Sequence, residues 1–313
     1  MSSLFSSFFN THSFVVLDGA LSTSLEALGC DLNDSLWSAR ILVEQPDKIE
    51  QVHFESFMAG ADVAITSSYQ ATLPGLAAKG INAQDALAII KRSVSLALQA
   101  RERCLIAQPD RIRPLVAGSV GPYGAYLADG SEYRGDYHLS EQAYIDFHRP
   151  RIGALLEAGC DVIALETIPS LQEASALLKV MEQFPDAQAW ITFTACDDAH
   201  ISDGTPITTC IDALSNHPQL CAIGINCTSP RYIDGLLRRI KAHTTLPMVV
   251  YPNGGEQYDA ETKSWCACET QQVIGELEHM AAHWHALGAQ LIGGCCGINI
   301  DGVRAIARAS YPH

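Results

Sequence analysis

Val15-Val-Leu-Asp-Gly-Ala-Leu-Ser22 is a short apolar run that stops at a carboxylate. Its reading decides between two architectures that both open on a buried strand. An open, doubly wound sheet built to hold a nucleotide places a glycine-rich loop after its first strand, so that backbone amides can cradle phosphates. Asp18-Gly-Ala-Leu-Ser22 carries one glycine and no such loop. A parallel barrel has no need of that loop, and it uses the C-terminal end of each strand to deliver side chains to a central mouth.

Seven further runs repeat the pattern: Val63-Ala-Ile-Thr66, Leu115-Val-Ala-Gly118, Val162-Ile-Ala-Leu165, Trp190-Ile-Thr-Phe193, Ala222-Ile-Gly-Ile225, Met248-Val-Val-Tyr251 and Leu291-Ile-Gly293. They are continuously apolar rather than alternating, as strands covered on both faces are. The intervening segments have helical spacing. Leu87, Ile90, Val94 and Ala97 step by three and four, as do Leu171, Ala174, Leu178 and Met181, and again Ile233, Leu236 and Ile240. Pro46-Asp47 suits a helix start, where proline gives up no intrahelical bond. Gly159 and Gly288 stand just before strands, where a helix must end in a left-handed residue. Eight strand–helix units predict an α/β protein with a single (β/α)8 TIM barrel, one domain over residues 1–313 in which 1–12 form an N-terminal extension.

Composition narrows the function classes. Hydrophobic residues are 48% and charged ones 18%, enough for a large core and too apolar for disorder. A net charge of −15 argues against nucleic acid or an anionic membrane as partner. Eleven cysteines are an odd number and sparse for this length, unlike a disulfide scaffold. Met1 to Phe14 lacks the basic residues of a signal peptide, and no apolar run is long enough to span a bilayer. The expectation is a reduced, soluble, cytoplasmic protein. Nothing in the sequence specifies an oligomeric state.

In a barrel the chemistry lies at the strand C-terminal ends. Those positions hold Asp18, Ser67 to Tyr69, Gly118 to Gly121, Glu166, Thr194, Asn226 with Cys227, Tyr251 to Asn253, and Cys295 with Cys296. Cys227, Cys295 and Cys296 would fill three corners of a tetrahedral zinc site, leaving one open for a soft ligand such as a substrate thiol. Gly293, Gly294 and Gly297 allow the tight turn that adjacent cysteines need to reach one metal. Ordinary buried cysteines are the plain alternative. Two others are a thiol-disulfide oxidoreductase using Cys295 and Cys296, and a non-catalytic zinc-binding protein whose fourth corner a protein residue closes. Cys266 and Cys268 read as incidental, and Cys30, Cys104, Cys160, Cys196, Cys210 and Cys221 as packing or surface positions. Asp18 and Glu166 would aim two carboxylates into the mouth, where they could hold an amino group; turn capping and an internal ion pair are their structural alternatives. The Gly- and Tyr-rich segment from Gly121 to Tyr137 follows the third strand and reads as a long functional loop. Tyr69, Tyr123 and Tyr126 could turn ring faces to a cation.

Asp18-Gly-Ala20, Gly224-Ile-Asn-Cys227 and Gly293-Gly-Cys-Cys296, in this order, resemble the homocysteine S-methyltransferase family over essentially the whole chain. The stretch from Gly124 to Tyr137 resembles the corresponding loop of its bacterial and plant branch, which uses S-methylmethionine or S-adenosylmethionine. The resemblance implies a (β/α)8 barrel with Zn2+ on Cys227, Cys295 and Cys296, and the L-homocysteine thiolate in the fourth position. It implies that Asp18 and Glu166 bind the substrate amino group, with Gly19, Ala20, Ser68, Tyr69 and Asn226 near the amino-acid moiety. It implies a methyl transfer that forms methionine from a small diffusible sulfonium donor.

Overall fold

Each of the eight apolar runs becomes a strand, and the strands pair edge to edge around a ring. In the computed structural model, which describes residues 3–32, 38–255, 257–259, 264–266 and 270–311, they are β1 (Val15–Val16), β2 (Val63–Ile65), β3 (Leu115–Val120), β4 (Val162–Ile168), β5 (Ala189–Phe193), β6 (Leu220–Asn226) and β7 (Met248–Tyr251). An antiparallel hairpin, β8 (Gln257–Asp259) and β9 (Ser264–Cys266), intervenes before the last barrel strand, β10 (Ala289–Ile292). The ring runs β1-β10-β7-β6-β5-β4-β3-β2. A single parallel bridge, Leu17 to Val63, joins its two ends.

That closing seam is short of ladder bonds, and two aspartates complete it. Asp62 Oδ2 accepts from the Val16 amide at 2.9 Å, and Asp18 Oδ2 accepts from the Ile65 amide at 2.8 Å. The helical segments follow the sequence pattern. Helix Pro46–Ala59 opens on its proline. Helix Ala83–Ala107 starts under Asn82, whose side chain accepts from the Asp85 amide at 3.0 Å, and buries Ile90, Val94 and Ala97. Ile233, Leu236 and Ile240 are likewise the buried face of Pro230–Lys241. Gly159 and Gly288 take the left-handed conformation, at φ 89° and 113°.

The hairpin was not visible as strands in the sequence. Cys266 lies on it, Cys268 falls outside the described residues, and no side-chain environment is assigned to either. The other six cysteines agree with packing or surface roles: Cys30, Cys104, Cys210 and Cys221 are buried, Cys160 is half-buried and Cys196 exposed. Burial pushes the Cys210 and Cys221 thiols up to about 12, which makes them poor nucleophiles.

Two large hydrophobic layers result, beside a smaller cluster around Leu25, Ile41 and Ile49. One lies between the strands and the helices; the other fills the barrel interior with Leu17, Val63, Val162, Trp190, Val249 and Leu291 among others. The N-terminal extension joins the second layer. Two short 3-10 turns, Ser3–Phe5 and Phe8–Asn10, bring Phe5 and Phe8 into the interior cluster, each only 1% exposed. The extension is therefore a stopper for the barrel's N-terminal end. Phe5→Ala and Phe8→Ala should each destabilise the protein by about 3–5 kcal/mol, read as a lower urea midpoint. Unchanged midpoints would mean that the segment only rests on the barrel.

Candidate active site

The three candidate thiols come from two strands of the ring separated by one other. Cys227 follows β6, Cys295 and Cys296 follow β10, and β7 lies between them. The tail of β7 braces all three. Tyr251 O accepts from the Cys227 amide at 3.0 Å, Pro252 O from the Cys295 amide at 2.7 Å, and the Gly254 amide donates to Cys296 O at 2.7 Å. Of the glycines around the pair, Gly297 needs its freedom, with φ at 80°. Gly294 is required for space, because a Cβ there would lie 2.3 Å from a methyl of Ile298.

The sulfurs all lie within 4.8 Å of one another, and Cys227 Sγ is 3.6 Å from Cys296 Sγ. Zinc–thiolate bonds of about 2.3 Å at tetrahedral angles would separate two sulfurs by roughly 3.8 Å. The trio therefore fits a metal of this class. Hydrogen bonds from Cys295 and Cys296, and a smaller one from Tyr133, hold the Cys227 thiol well below its ordinary range despite burial. The same contacts with Cys227 and Cys296, with burial, push Cys295 well above it. Such a cluster sheds one proton readily and keeps the others until a cation compensates the charge.

Cys227 and Thr167 take positive φ values of 45° and 64°, unusual for residues with a side chain. Asn226, the residue before Cys227, pins Thr167. Its Oδ1 accepts from the Thr167 amide at 2.7 Å, and its Nδ2 donates to Thr167 Oγ1 at 2.8 Å. Strain of this sort gathers where a site has to be held in shape.

Above the thiols is a cavity lined by Asp18, Gly19, Ala20, Tyr69, Glu166 and the three cysteines, among others. Both carboxylates are buried. Burial lifts the Asp18 carboxyl well above its usual range, and the neighbouring Glu166 charge adds to the rise while the Ile65 amide opposes it. Burial pushes Glu166 up to about 7, against hydrogen bonds from Ser119 and from Tyr251, whose hydroxyl is 3.1 Å away. A cation near two such buried, mutually repelling carboxylates would relieve both.

Residues 15–310 match the family model for homocysteine S-methyltransferase. The chain belongs to the homocysteine S-methyltransferase family. It is 50% identical to homocysteine S-methyltransferase YbgG of Bacillus subtilis (strain 168), over 95% of each chain. It is 42% identical to homocysteine S-methyltransferase 1 of Brassica oleracea var. italica, over 94% of this chain and 92% of that one. Its fold matches the metallated form of the homocysteine methyltransferase MmuM from Escherichia coli with a TM-score of 0.88, at 45% identity and over 98% and 99% of the two chains. The chain is thus an enzyme, a homocysteine S-methyltransferase built as a TIM barrel and acting on small molecules. No helix among the described residues is long and apolar enough to cross a membrane.

In this homocysteine S-methyltransferase the sequence-predicted residues divide into two groups. Asp18, Gly19, Ala20, Tyr69, Glu166 and the cysteines meet at the cavity. Ser68 and Asn226 lie beneath it, fully buried. Ser68 donates to Ser119 O at 2.8 Å, and Asn226 holds Thr167. The loop after β3 is more ordered than its composition suggests, with a helix Tyr123–Leu127 and a 3-10 turn Ser131–Tyr133. Tyr123 meets Phe147 edge-on and Tyr126 lies tilted against it, with Tyr123 also tilted against Tyr137. The tyrosine that reaches the three thiols is one the sequence did not single out: Tyr133, whose hydroxyl is 3.4 Å from Cys227 Sγ. Its place within the predicted Gly121–Tyr137 loop was the available signal.

Proposed function

We propose that the chain transfers a methyl group from a sulfonium donor, S-methylmethionine or S-adenosylmethionine, to L-homocysteine, and that Zn2+ on Cys227, Cys295 and Cys296 is its cofactor. The observation that carries this reading is the convergence of three thiols at thiolate–metal spacing beneath a cavity with two buried carboxylates. Zinc held there would stabilise the thiolate form of the substrate at neutral pH. The chain's own residues do the rest. Asp18 and Glu166 hold the homocysteine ammonium, Gly19 and Ala20 offer backbone to the amino-acid moiety, and Tyr69 walls it. Ser68 and Asn226 fix the strand ends on which these groups sit.

In the transfer, a sulfur lone pair of homocysteine forms the new S–CH3 bond as the donor's S–CH3 bond breaks. The donor sulfur keeps that electron pair and becomes a neutral thioether, so no acid is needed for the leaving group. The thiol proton is released beforehand. Alignment of the two sulfurs with the methyl group is the protein's main contribution. A redox pair of Cys295 and Cys296 would leave Cys227 idle, whereas Cys227 sits 3.6 Å from Cys296. A non-catalytic zinc site would need a fourth protein ligand and no cavity at the thiols, whereas all three cysteines line one. Three reactive thiols also suit a reducing compartment such as the cytoplasm.

The test is methionine formation from L-homocysteine with each donor, with and without a chelator. Chelator-sensitive methionine is expected; no methionine from either donor with zinc bound would overturn the reading. A pH dependence should accompany it. Glu166 must be ionised to hold an ammonium, and its pKa of about 7 means it gains its proton as pH falls below that value. The KM for homocysteine should therefore rise as pH drops from 7 towards 5, by up to about tenfold per unit. In Glu166→Gln the KM should be high throughout and that slope should be shallower, what remains of it coming from Asp18, whose carboxyl burial also raises, and from release of the thiol proton. An identical slope in both proteins would remove Glu166 from the ammonium site.

A further inference from the structure

The two oxygens of Glu166 are each met by a hydroxyl. Ser119 Oγ, on β3, donates to Oε1, and the Tyr251 hydroxyl, at the end of β7, donates to Oε2 at 3.1 Å. Glu166 stands on β4, which neighbours β3 in the ring, whereas β7 reaches it across the barrel interior. Ser119 and Tyr251 are both buried, and both line the cavity with Glu166. Behind the tyrosine stands β5. Trp190 Nε1 is 3.2 Å from the tyrosine oxygen and Thr192 Oγ1 is 2.9 Å from it, both residues completely buried. An indole N–H can only donate. With Glu166 ionised, the single tyrosine proton goes to Oε2, so Trp190 and Thr192 both donate to the tyrosine oxygen and fill its two lone pairs. Ser119 is anchored as firmly: its amide donates to Thr66 Oγ1 at 3.0 Å, and its carbonyl accepts from Ser68 Oγ at 2.8 Å.

A buried carboxylate beside Asp18 can lower its energy without a ligand by taking up a proton or by turning away from its neighbour. Two hydroxyl donors oppose both. Hydrogen bonds to an ionised group are roughly twice as strong as neutral ones, so they favour the charged form, and one contact on each oxygen fixes the plane of the group. Each carboxylate oxygen keeps a second lone pair for an ammonium in the cavity. The uncharged character of these partners matters as well. An arginine in their place would neutralise Glu166 outright and leave little attraction for a substrate cation. The geometry points to Ser119 and Tyr251 as positioning residues of the homocysteine ammonium site, with Trp190 and Thr192 directing the tyrosine proton towards Glu166. This rests on the reading of Glu166 as a holder of that ammonium.

The test is calorimetric binding of L-homocysteine and of 4-mercaptobutanoate, the same thiol acid without its amino group, to zinc-loaded protein of measured metal content. Wild type should prefer homocysteine by about a hundredfold, and Glu166→Gln should lose most of that preference. Ser119→Ala and Tyr251→Phe should each weaken homocysteine by about tenfold and change the analogue by less than about threefold. Zinc content should not move, because Tyr251 braces Cys227 through its carbonyl, which phenylalanine keeps. In turnover, the KM for homocysteine should rise while kcat stays within about threefold of wild type. Added to Glu166→Gln, either substitution should change homocysteine binding by less than about threefold. Residues that only fill space would weaken both thiols alike, with or without Glu166. Tyr251→Phe also strips Trp190 and Thr192 of their acceptor and lowers stability; Ser119→Ala removes a single oxygen and carries the test if the other variant does not fold. Equal weakening of both thiols in a folded variant, or weakening of neither, would overturn the proposal for that hydroxyl. A wild type indifferent to the amino group, or a Glu166→Gln protein that keeps the preference, would instead overturn the ammonium reading, and this inference with it.

Discussion

Cys227→Ala should abolish methionine formation and leave the protein without stoichiometric zinc. Two thiols remain, but the substitution removes one of the three sulfurs that lie within 4.8 Å of one another, leaving too few ligands to hold the ion. Metal catalysis of this kind supplies several kcal/mol, so a drop of about 10³-fold or more in kcat/KM is expected. The residue also has a left-handed backbone at φ 45°, which permits a control. Cys227→Gly should lose metal and activity equally, yet be more stable than Cys227→Ala by about 0.5–1 kcal/mol, since glycine adopts that conformation without penalty. Metal analysis, turnover and denaturant midpoints of both variants separate the roles. Wild-type turnover in either would end the metal reading and revive a dithiol one.

Glu173→Ala should destabilise the protein by about 3–5 kcal/mol and impair catalysis as well, although this residue touches neither thiol nor cavity. Glu173 is completely buried. Its Oε1 accepts from the Tyr123 amide at 2.6 Å and from His148 Nε2 at 2.8 Å, and its Oε2 from the Tyr137 hydroxyl at 2.5 Å. One carboxylate thus ties down both ends of the loop that carries Glu132 and Tyr133. The network continues inward. Arg151 donates to His148 Nδ1 at 3.0 Å, which leaves Nε2 to carry the proton towards Glu173; burial lowers the His148 pKa in keeping with a neutral ring. Arg151 also donates to Tyr69 O at 2.7 Å and to Gly121 O. Removing Glu173 leaves a buried guanidinium without its counter-charge and loosens two of the cavity's walls. Glu173→Gln keeps the volume but turns an amide NH2 towards at least one donor, so it should recover only part of the loss. Wild-type stability in Glu173→Ala, measured by urea unfolding, would show that the loop is held by other contacts.

The sequence made the barrel legible because buried parallel strands need no partner to be recognised. Val162-Ile-Ala-Leu165 is apolar on both faces whatever lies next to it, and Leu171, Ala174 and Leu178 announce a helix by spacing alone. The thiols were legible for a related reason: metal ligation demands a residue type, and three such residues stood at strand ends. Phe5 and Phe8 gave no comparable signal, since a 3-10 turn is too short for a period to emerge. Glu173, His148 and Arg151 were hidden differently. Charged residues in an amphipathic helix read as a solvated face, and only tertiary contacts 25 residues apart or more, such as His148 to Glu173, turn them inward. Asn226 illustrates the remaining limit. Its position at a strand end was plain, but its hydrogen bonds to Thr167 depend on where β4 stands relative to β6.

The stopper at the foot of the barrel has a consequence for the order in which this chain can assemble. Phe5 and Phe8 are made long before Leu291, yet Leu291 is part of the surface that receives them. The first strand waits in the same way, pairing Val15 with Leu291 and Val16 with Ile292. The opening residues therefore have no complete berth while the chain is still emerging, and seating them belongs to the end of folding, after the final strand has closed the circle. Contacts between sequence extremes are slow to form, and until then both phenylalanines are exposed. A chain interrupted before its last strand would thus lack both the two thiols of Cys295 and Cys296 and the partner that shelters its own beginning.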